Sequence, residues 1–136
     1  MPPELIFAPM GALALLTFIV LTLIPLRRFR AAFAGHVKAE DFRFGESAAV
    51  PGAVSIPNRN YMNLLELPML FYVAGLMYYV AGRVDQTVLA VAWAYVALRA
   101  AHSAIHLTYN NVFHRLGVFA LSNVVLAVFW GLFFLR

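Results

Sequence analysis

Four long apolar blocks dominate this sequence and leave little chain for a soluble domain. Each block is long enough for a helix to cross the hydrocarbon core of a bilayer, which takes about 20 residues. Only 12% of the 136 residues are charged, against about a quarter in soluble domains. The sequence therefore predicts one all-α domain over residues 1–136, an integral membrane four-helix bundle. The predicted helices cover residues 5–26, 59–82, 87–109 and 112–135.

The polar connection between the first two blocks, residues 27–58, carries half of the chain's ten lysines and arginines. The short connection after the third block adds His114 and Arg115, so both connections are predicted on one side of the membrane. The positive-inside rule makes that side cytoplasmic and both termini non-cytoplasmic. The net charge of +4 is thus a topology signal. Since the basic residues are not interleaved with exposed aromatic side chains, no nucleic-acid partner is predicted.

The first apolar block differs from a secretory signal peptide in both of its flanks. Met1-Pro2-Pro3-Glu4 precedes it without a basic residue. Pro25-Leu26 runs directly into arginines without a small-residue cleavage site. A signal peptide has a basic start and such a site. We therefore expect this block to be retained as a transmembrane helix.

Polar side chains interrupt the later blocks at helical spacing. In the second block Arg59, Asn63 and Glu66 recur at i, i+4 and i+7, so they share one helix face. Pro68 follows two residues later and is expected to kink the helix beside the carboxylate. We call such a row of polar residues on one helix face a stripe. The third block carries a second stripe, and the fourth helix begins near a further arginine. These residues are Arg99, His102, Ser103, His106 and Asn110 in the third block and Arg115 in the fourth.

A charged residue deep in an apolar span is costly unless it is paired. Glu66 and Arg99 lie at the same predicted depth, so we expect them to meet directly or through one ligand or water. The pair could instead only set the register of two helices, and Arg27 could be a headgroup anchor. His102 and His106 have the i, i+4 spacing of metal ligands. Because Glu66 is already assigned to Arg99, no metal site is predicted.

Taken together, the stripes predict a cationic pocket with one acidic member. Such a pocket suits a peptide-like anion, because arginine forks bind carboxylates and Glu66 can accept from an ammonium group. An arginine beside a bound thiol also favours the nucleophilic thiolate. The chain has no cysteine, so any thiol in this pocket would be brought by a ligand.

The motifs Arg59-x3-Asn63-x2-Glu66-x-Pro68 and Arg99-x2-His102, followed by Arg115, resemble the MAPEG family of membrane proteins of eicosanoid and glutathione metabolism. The resemblance spans nearly the whole chain. It implies a homotrimer of bacterial type in the inner membrane, with glutathione as co-substrate between subunits. It also implies that Arg115 is the catalytic residue nearest the thiol. The implied glutathione pocket, with Arg59 and His106 added from the same stripes, comprises Arg27, Arg59, Asn63, Glu66, Arg99, His102 and His106.

The chain departs from the family pattern on the thiol side. Leu116 and Phe119 stand where prostaglandin-synthase-like members carry Ser and Tyr, and His106 replaces a Tyr. Phe119 has no hydrogen-bond donor. Two functions therefore stay open. One is a glutathione transferase or peroxidase acting on lipophilic electrophiles. The other is a non-catalytic subunit that binds lipid or a larger membrane complex.

The predicted topology is tested by reporter fusions after Glu46 and Arg136. The two reporters are expected on opposite sides of the membrane, because an odd number of spans separates them. Activity of both reporters on one side would contradict the number of spans or their orientation.

Overall fold

The computed structural model describes all 136 residues and contains five α-helices that make up four membrane spans. Short 3₁₀ turns precede the first helix and lie in the first connection. No strands are present, and each span is long and apolar enough to cross a membrane. The predicted all-α integral membrane four-helix bundle is confirmed. The helices are α1 (Phe7–Phe33), α2 (Gly52–Leu65), α3 (Pro68–Val80), α4 (Gln86–Leu107) and α5 (Val112–Leu135).

The first connection is shorter than the predicted range 27–58, because helices extend into it from both sides. The first helix continues to Phe33, and the second begins at Gly52. Arginine forms helices well, and cations are favourable at a helix C-terminus. The basic segment after Leu26 therefore leaves the apolar span without unwinding. The third helix ends at Leu107 rather than at residue 109, and the fourth has the predicted bounds.

The second span is broken between α2 and α3. Pro68 opens α3, and its missing N–H prevents one continuous helix. Glu66 has φ −80° and ψ −103°, outside the helical region, and its carbonyl accepts from the Met69 N–H at 3.1 Å. The kink expected at Pro68 is confirmed, and it amounts to a complete break. The break creates an additional helix C-terminus within the span.

Aromatic side chains fill the core beyond this break. The rings of Phe71 and Tyr95 stack with centroids 4.9 Å apart, and Phe71 also packs 5.4 Å from Phe129. The Tyr78 hydroxyl donates to the Phe129 carbonyl at 2.7 Å. These contacts fix α3, α4 and α5 to one another. The polar residues of the stripes lie nearer the other end of the bundle.

Arg27 fastens that other end by bonding two backbone carbonyls on different helices. It donates to the Leu107 carbonyl in the last turn of α4 and to the Ala53 carbonyl of α2, each at 3.1 Å. The last four carbonyls of a helix have no partner within it. Ala53 lies four residues before Pro57, which has no N–H to donate to it. Arg27 thus satisfies two carbonyls that their own helices leave free.

Arg83 and Arg136 close the opposite end of the bundle. Arg83 donates to the Phe133 carbonyl in the last turn of α5 at 3.0 Å. Arg136 pairs with Asp85 at 2.8 Å, and the other oxygen of Asp85 accepts from the Val88 N–H at 2.8 Å. This second bond caps the N-terminus of α4. One carboxylate therefore joins the start of α4 to the end of α5.

Replacing Arg27 is predicted to destabilise the bundle. Arg27→Met removes two charge-assisted hydrogen bonds between helices and should cost about 1–3 kcal/mol of the free energy of unfolding. Reversible unfolding in mixed detergent measures this cost. Arg30→Met is the matched control, since Arg30 lies on the same helix, is exposed and bonds no carbonyl. Equal losses in the two variants would contradict the bridging role.

Candidate functional site

Arg99 is the most buried charge in the molecule. Its side chain is 0% exposed between α2, α4 and α5. Nη2 donates to the backbone carbonyl of Asn63 at 3.3 Å and also to the side-chain oxygen of Asn63. The guanidinium carbon lies 5.7 Å from the ring centre of Phe119, within the range of cation–π attraction. Nε and Nη1 are buried without a hydrogen-bond partner, so the cation is only partly satisfied.

The break in the second span explains why Arg99 is bonded in this way. Asn63 lies in the last turn of α2, where carbonyls lack an intrahelical partner. A helix C-terminus carries roughly half a negative charge. Arg99 caps that terminus and gains a partial counter-charge from it. The remainder of its positive charge is uncompensated, which is costly in a membrane interior unless an anion is supplied.

Within the chain, Glu66 does not supply that anion. Its side chain is exposed and forms no ion pair. The expected direct contact between Glu66 and Arg99 is therefore wrong within one chain. Arg59 is likewise exposed and makes no side-chain hydrogen bond.

Asn60 forms a buried polar network that the sequence analysis missed. It is 0% exposed, and its amide nitrogen lies 3.1 Å from Nδ1 of His106. Its amide oxygen accepts from the Ser103 hydroxyl at 2.9 Å. Asn60 precedes Asn63 by three residues, so an i, i+3 spacing was the available signal. The network joins α2 to α4 and engages His106 in the packing of the two helices.

An open cavity of about 250 Å³ lies where α2, α4 and α5 meet. Three of the predicted site residues line it. The Asn63 amide oxygen is bonded to Arg99, while its nitrogen makes no hydrogen bond within the chain. His102 is 4% exposed, and its Nδ1 has no partner. We call this site the Arg115 cavity, and it is lined by Asn63, His102, Val112, Arg115, Leu116 and Phe119.

The turn between α4 and α5 orients Arg115. Asn111 caps α5 by accepting from the His114 N–H at 3.0 Å. Asn110 adopts φ +47°, a left-handed conformation that asparagine tolerates. Its side-chain oxygen accepts from Nη1 of Arg115 at 2.6 Å. The guanidinium is thus held at the cavity wall, and its other N–H groups are not hydrogen-bonded within the chain.

The remaining predicted site residues lie outside the Arg115 cavity. Arg27 bonds helix-end carbonyls and borders a separate cavity of about 360 Å³. Arg59 and Glu66 are on the exposed side of the chain. His102 and His106 have ring centres 5.9 Å apart, and no group of three or more metal-ligating His, Cys, Asp or Glu side chains is present.

The Arg115 cavity is rich in donors and poor in acceptors. Its polar groups are an amide nitrogen, an imidazole and a guanidinium, and Arg99 lies directly behind Asn63 and Phe119. No carboxylate lines the cavity. Such a set of donors can bind an anion through charge-assisted hydrogen bonds. Its apolar half, Val112, Leu116 and Phe119, can contact a lipophilic group at the same time.

The model of the MAPEG family matches residues 6–135 of this sequence. The chain belongs to the MAPEG family. The match includes all the residues of the Arg115 cavity, and it confirms the resemblance carried by the stripes. No curated protein and no solved structure matches the chain. MAPEG membership and the four apolar spans together make this an integral, multi-pass membrane protein.

Asn63 and Arg99 are predicted to be energetically coupled. In a double-mutant cycle with Asn63→Ala and Arg99→Met, the coupling energy should be about 1 kcal/mol, near the upper part of the range for hydrogen bonds between membrane helices. Unfolding of the ligand-free protein in mixed detergent gives the four free energies. The matched cycle pairs Glu66→Gln with Arg99→Met and should give a smaller coupling energy, because Glu66 forms no ion pair. Stronger coupling to Glu66 than to Asn63 would contradict the observed arrangement.

Proposed function

We propose that this protein binds glutathione in the Arg115 cavity. The observation that carries the proposal is a buried, incompletely paired Arg99 behind a cavity whose polar groups are nearly all donors. An anion entering the cavity would reduce the cost of that buried charge. Membership of the MAPEG family, commonly linked to glutathione, supports this choice of anion.

Glutathione matches the chemistry of the cavity. It carries two carboxylates, which the Asn63 amide and the exposed Arg59 guanidinium can bind by donated hydrogen bonds, so that Arg115 is left for the thiol. It also carries an ammonium group, which needs an acceptor that the cavity wall lacks. Glu66 directly follows α2, is exposed and forms no ion pair, and it is the acceptor we assign to this ammonium group.

A second subunit completes the site in this proposal. The cavity volume of about 250 Å³ is below the range of roughly 300–1,000 Å³ for small-molecule sites, so one chain encloses only part of the tripeptide. Glu66 and Arg59 are exposed on the outer side of α2 and its end. In a homotrimer these side chains would reach the Arg115 cavity of the adjacent subunit.

The reaction we assign is attack of the glutathione thiolate on a lipophilic electrophile. Arg115 would stabilise the thiolate, and the sulfur would form a bond to an electrophilic carbon as the leaving group departs with its electron pair. Leu116 and Val112 are 59% and 58% exposed, so the electrophile can approach from the bilayer. The basic connections support a cytoplasmic position for the site in a bacterial inner membrane, with both termini on the other side.

A non-catalytic role is the second candidate, and one observation favours it. No hydroxyl group lines the Arg115 cavity, because Leu116 and Phe119 occupy its thiol side. Arg115 is then the single candidate for stabilising a thiolate there. A protein with this lining can bind glutathione or lipid as an accessory subunit of a larger membrane complex without turnover.

The Arg115→Ala variant tests the proposed role of the arginine. Wild-type protein in detergent should bind glutathione at millimolar concentration, measured by calorimetry, with an ultraviolet absorbance of the bound thiolate. Arg115→Ala should lose that absorbance while affinity falls less, since Asn63 and Glu66 remain. Arg43→Ala, an exposed arginine outside the cavity, should change neither. Absence of binding would overturn the glutathione proposal, and binding without turnover of a generic electrophile would select the accessory role.

Restoring a donor on the thiol side should strengthen the thiolate. Phe119→Tyr adds a hydroxyl, and a hydrogen bond to a charged group is worth about 1.5–3 kcal/mol. The thiolate fraction of bound glutathione should therefore rise at least about tenfold where the thiol is mostly protonated. Titration of the ultraviolet absorbance against pH measures it. A titration curve unchanged from wild type would show that position 119 does not face the sulfur.

A further inference from the structure

A larger groove lies between the last turns of α1 and the connection that follows it. Its volume is about 520 Å³, within the range of roughly 300–1,000 Å³ typical of small-molecule sites. It shares no residue with the Arg115 cavity. We call it the Lys38 groove. Its apolar wall consists of Ile24, Pro25, Phe29, Ala32, Val37, Ala39 and Phe42.

Two cations, Arg28 and Lys38, line the same groove. Arg28 lies 4.6 Å above the ring of Phe42 and donates to Glu46 at 3.1 Å. Its Nε is buried without a hydrogen-bond partner. The backbone N–H of Lys38 is bonded to Asp41, but the Lys38 ammonium is exposed and forms no ion pair. The groove therefore has two cations. Arg28 is held in place by Glu46, and Lys38 is not paired.

The groove lies at the level where the first span leaves the hydrocarbon. The apolar run of α1 ends at Leu26, and the arginines begin one residue later. Leu26 and Phe29 are 62% and 64% exposed, so this part of α1 presents an apolar surface. Ile24 and Pro25 form the end of the groove nearer the hydrocarbon. Lys38 belongs to the connection on the aqueous side.

We propose that the Lys38 groove binds an anionic phospholipid of the surrounding leaflet. The phosphate would accept hydrogen bonds from the Lys38 ammonium and from Nη1 of Arg28, which makes no hydrogen bond within the chain. The first part of an acyl chain would cover Pro25 and Phe29. Basic pockets beside membrane helices bind anionic headgroups in this way.

The charge and shape of the groove separate this ligand from its nearest alternatives. A zwitterionic lipid would place its ammonium group near Lys38 and Arg28, both cations. A soluble phosphate would leave the apolar wall uncovered. Glu46 pairs with Arg28, whereas no carboxylate forms an ion pair with Lys38, so the Lys38 ammonium is available to an anionic headgroup.

The test titrates delipidated, full-length protein in detergent with phosphatidylglycerol and with phosphatidylcholine, and native mass spectrometry counts the bound lipids. Phosphatidylglycerol should bind more tightly. Lys38→Gln should weaken its binding about fivefold, the contribution of one basic residue near an anionic membrane surface. Arg43→Gln is the matched control, because Arg43 lies in the same connection but does not line the groove. It should leave the affinity unchanged.

Filling the groove gives a second, charge-neutral test. Ala32→Trp should weaken phosphatidylglycerol binding, whereas Ala49→Trp, in the connection after α1 but outside the groove, should not. Equal binding of the two lipids, equal losses in Lys38→Gln and Arg43→Gln, or full competition by soluble glycerol phosphate would each overturn the proposal. Glutathione binding should be the same in Lys38→Gln and wild type, so the two sites are tested separately.

Discussion

The bond from Arg99 to the end of α2 links the fold of this protein to its candidate site. Pro68 ends the second span's first helix inside the membrane, and the free carbonyl of Asn63 then needs a donor. Arg99 is that donor, and it also bonds the Asn63 side chain, which leaves the amide nitrogen for the cavity. The donor is a cation, so the solution to a backbone problem creates a charge that attracts an anion.

Arginines meet the same backbone need at two other helix ends. Arg27 bonds the end of α4 and Arg83 the end of α5. A guanidinium suits this task because it has five donors in a planar fork and is less strongly hydrated than an ammonium. Arg27 is half-buried and Arg83 exposed, so water can reach them, whereas Arg99 is fully buried. Of these three, Arg99 therefore has the strongest need for an added anion.

The sequence predicted features that depend on local composition and missed those that depend on the path of the backbone. The number of spans follows from the lengths of the apolar blocks. The break at Pro68 follows from the missing N–H of proline. The stripes also placed Asn63, His102 and Arg115 together. Within one chain Arg99 bonds Asn63 and not Glu66, because a free helix-end carbonyl has no signature in the residue types. A contact between Glu66 and Arg99 through a ligand or water stays a prediction. Helical spacing gives the direction of the Glu66 Cα–Cβ bond but not the rotation of the side chain beyond it, and the side chain is exposed.

The polar composition of the second span has a consequence for how the protein is made. Its mean hydropathy is 1.3, against 2.3 for the first and fourth spans, and a charged residue at a helix centre opposes insertion by about 2.5–3.5 kcal/mol. Its amides, buried Asn60 and half-buried Asn63, find their partners on α4, which is synthesised later. The second span is thus a poor independent substrate for the translocon. We expect the second span to enter the lipid only after the third span has been synthesised, with the two spans already paired.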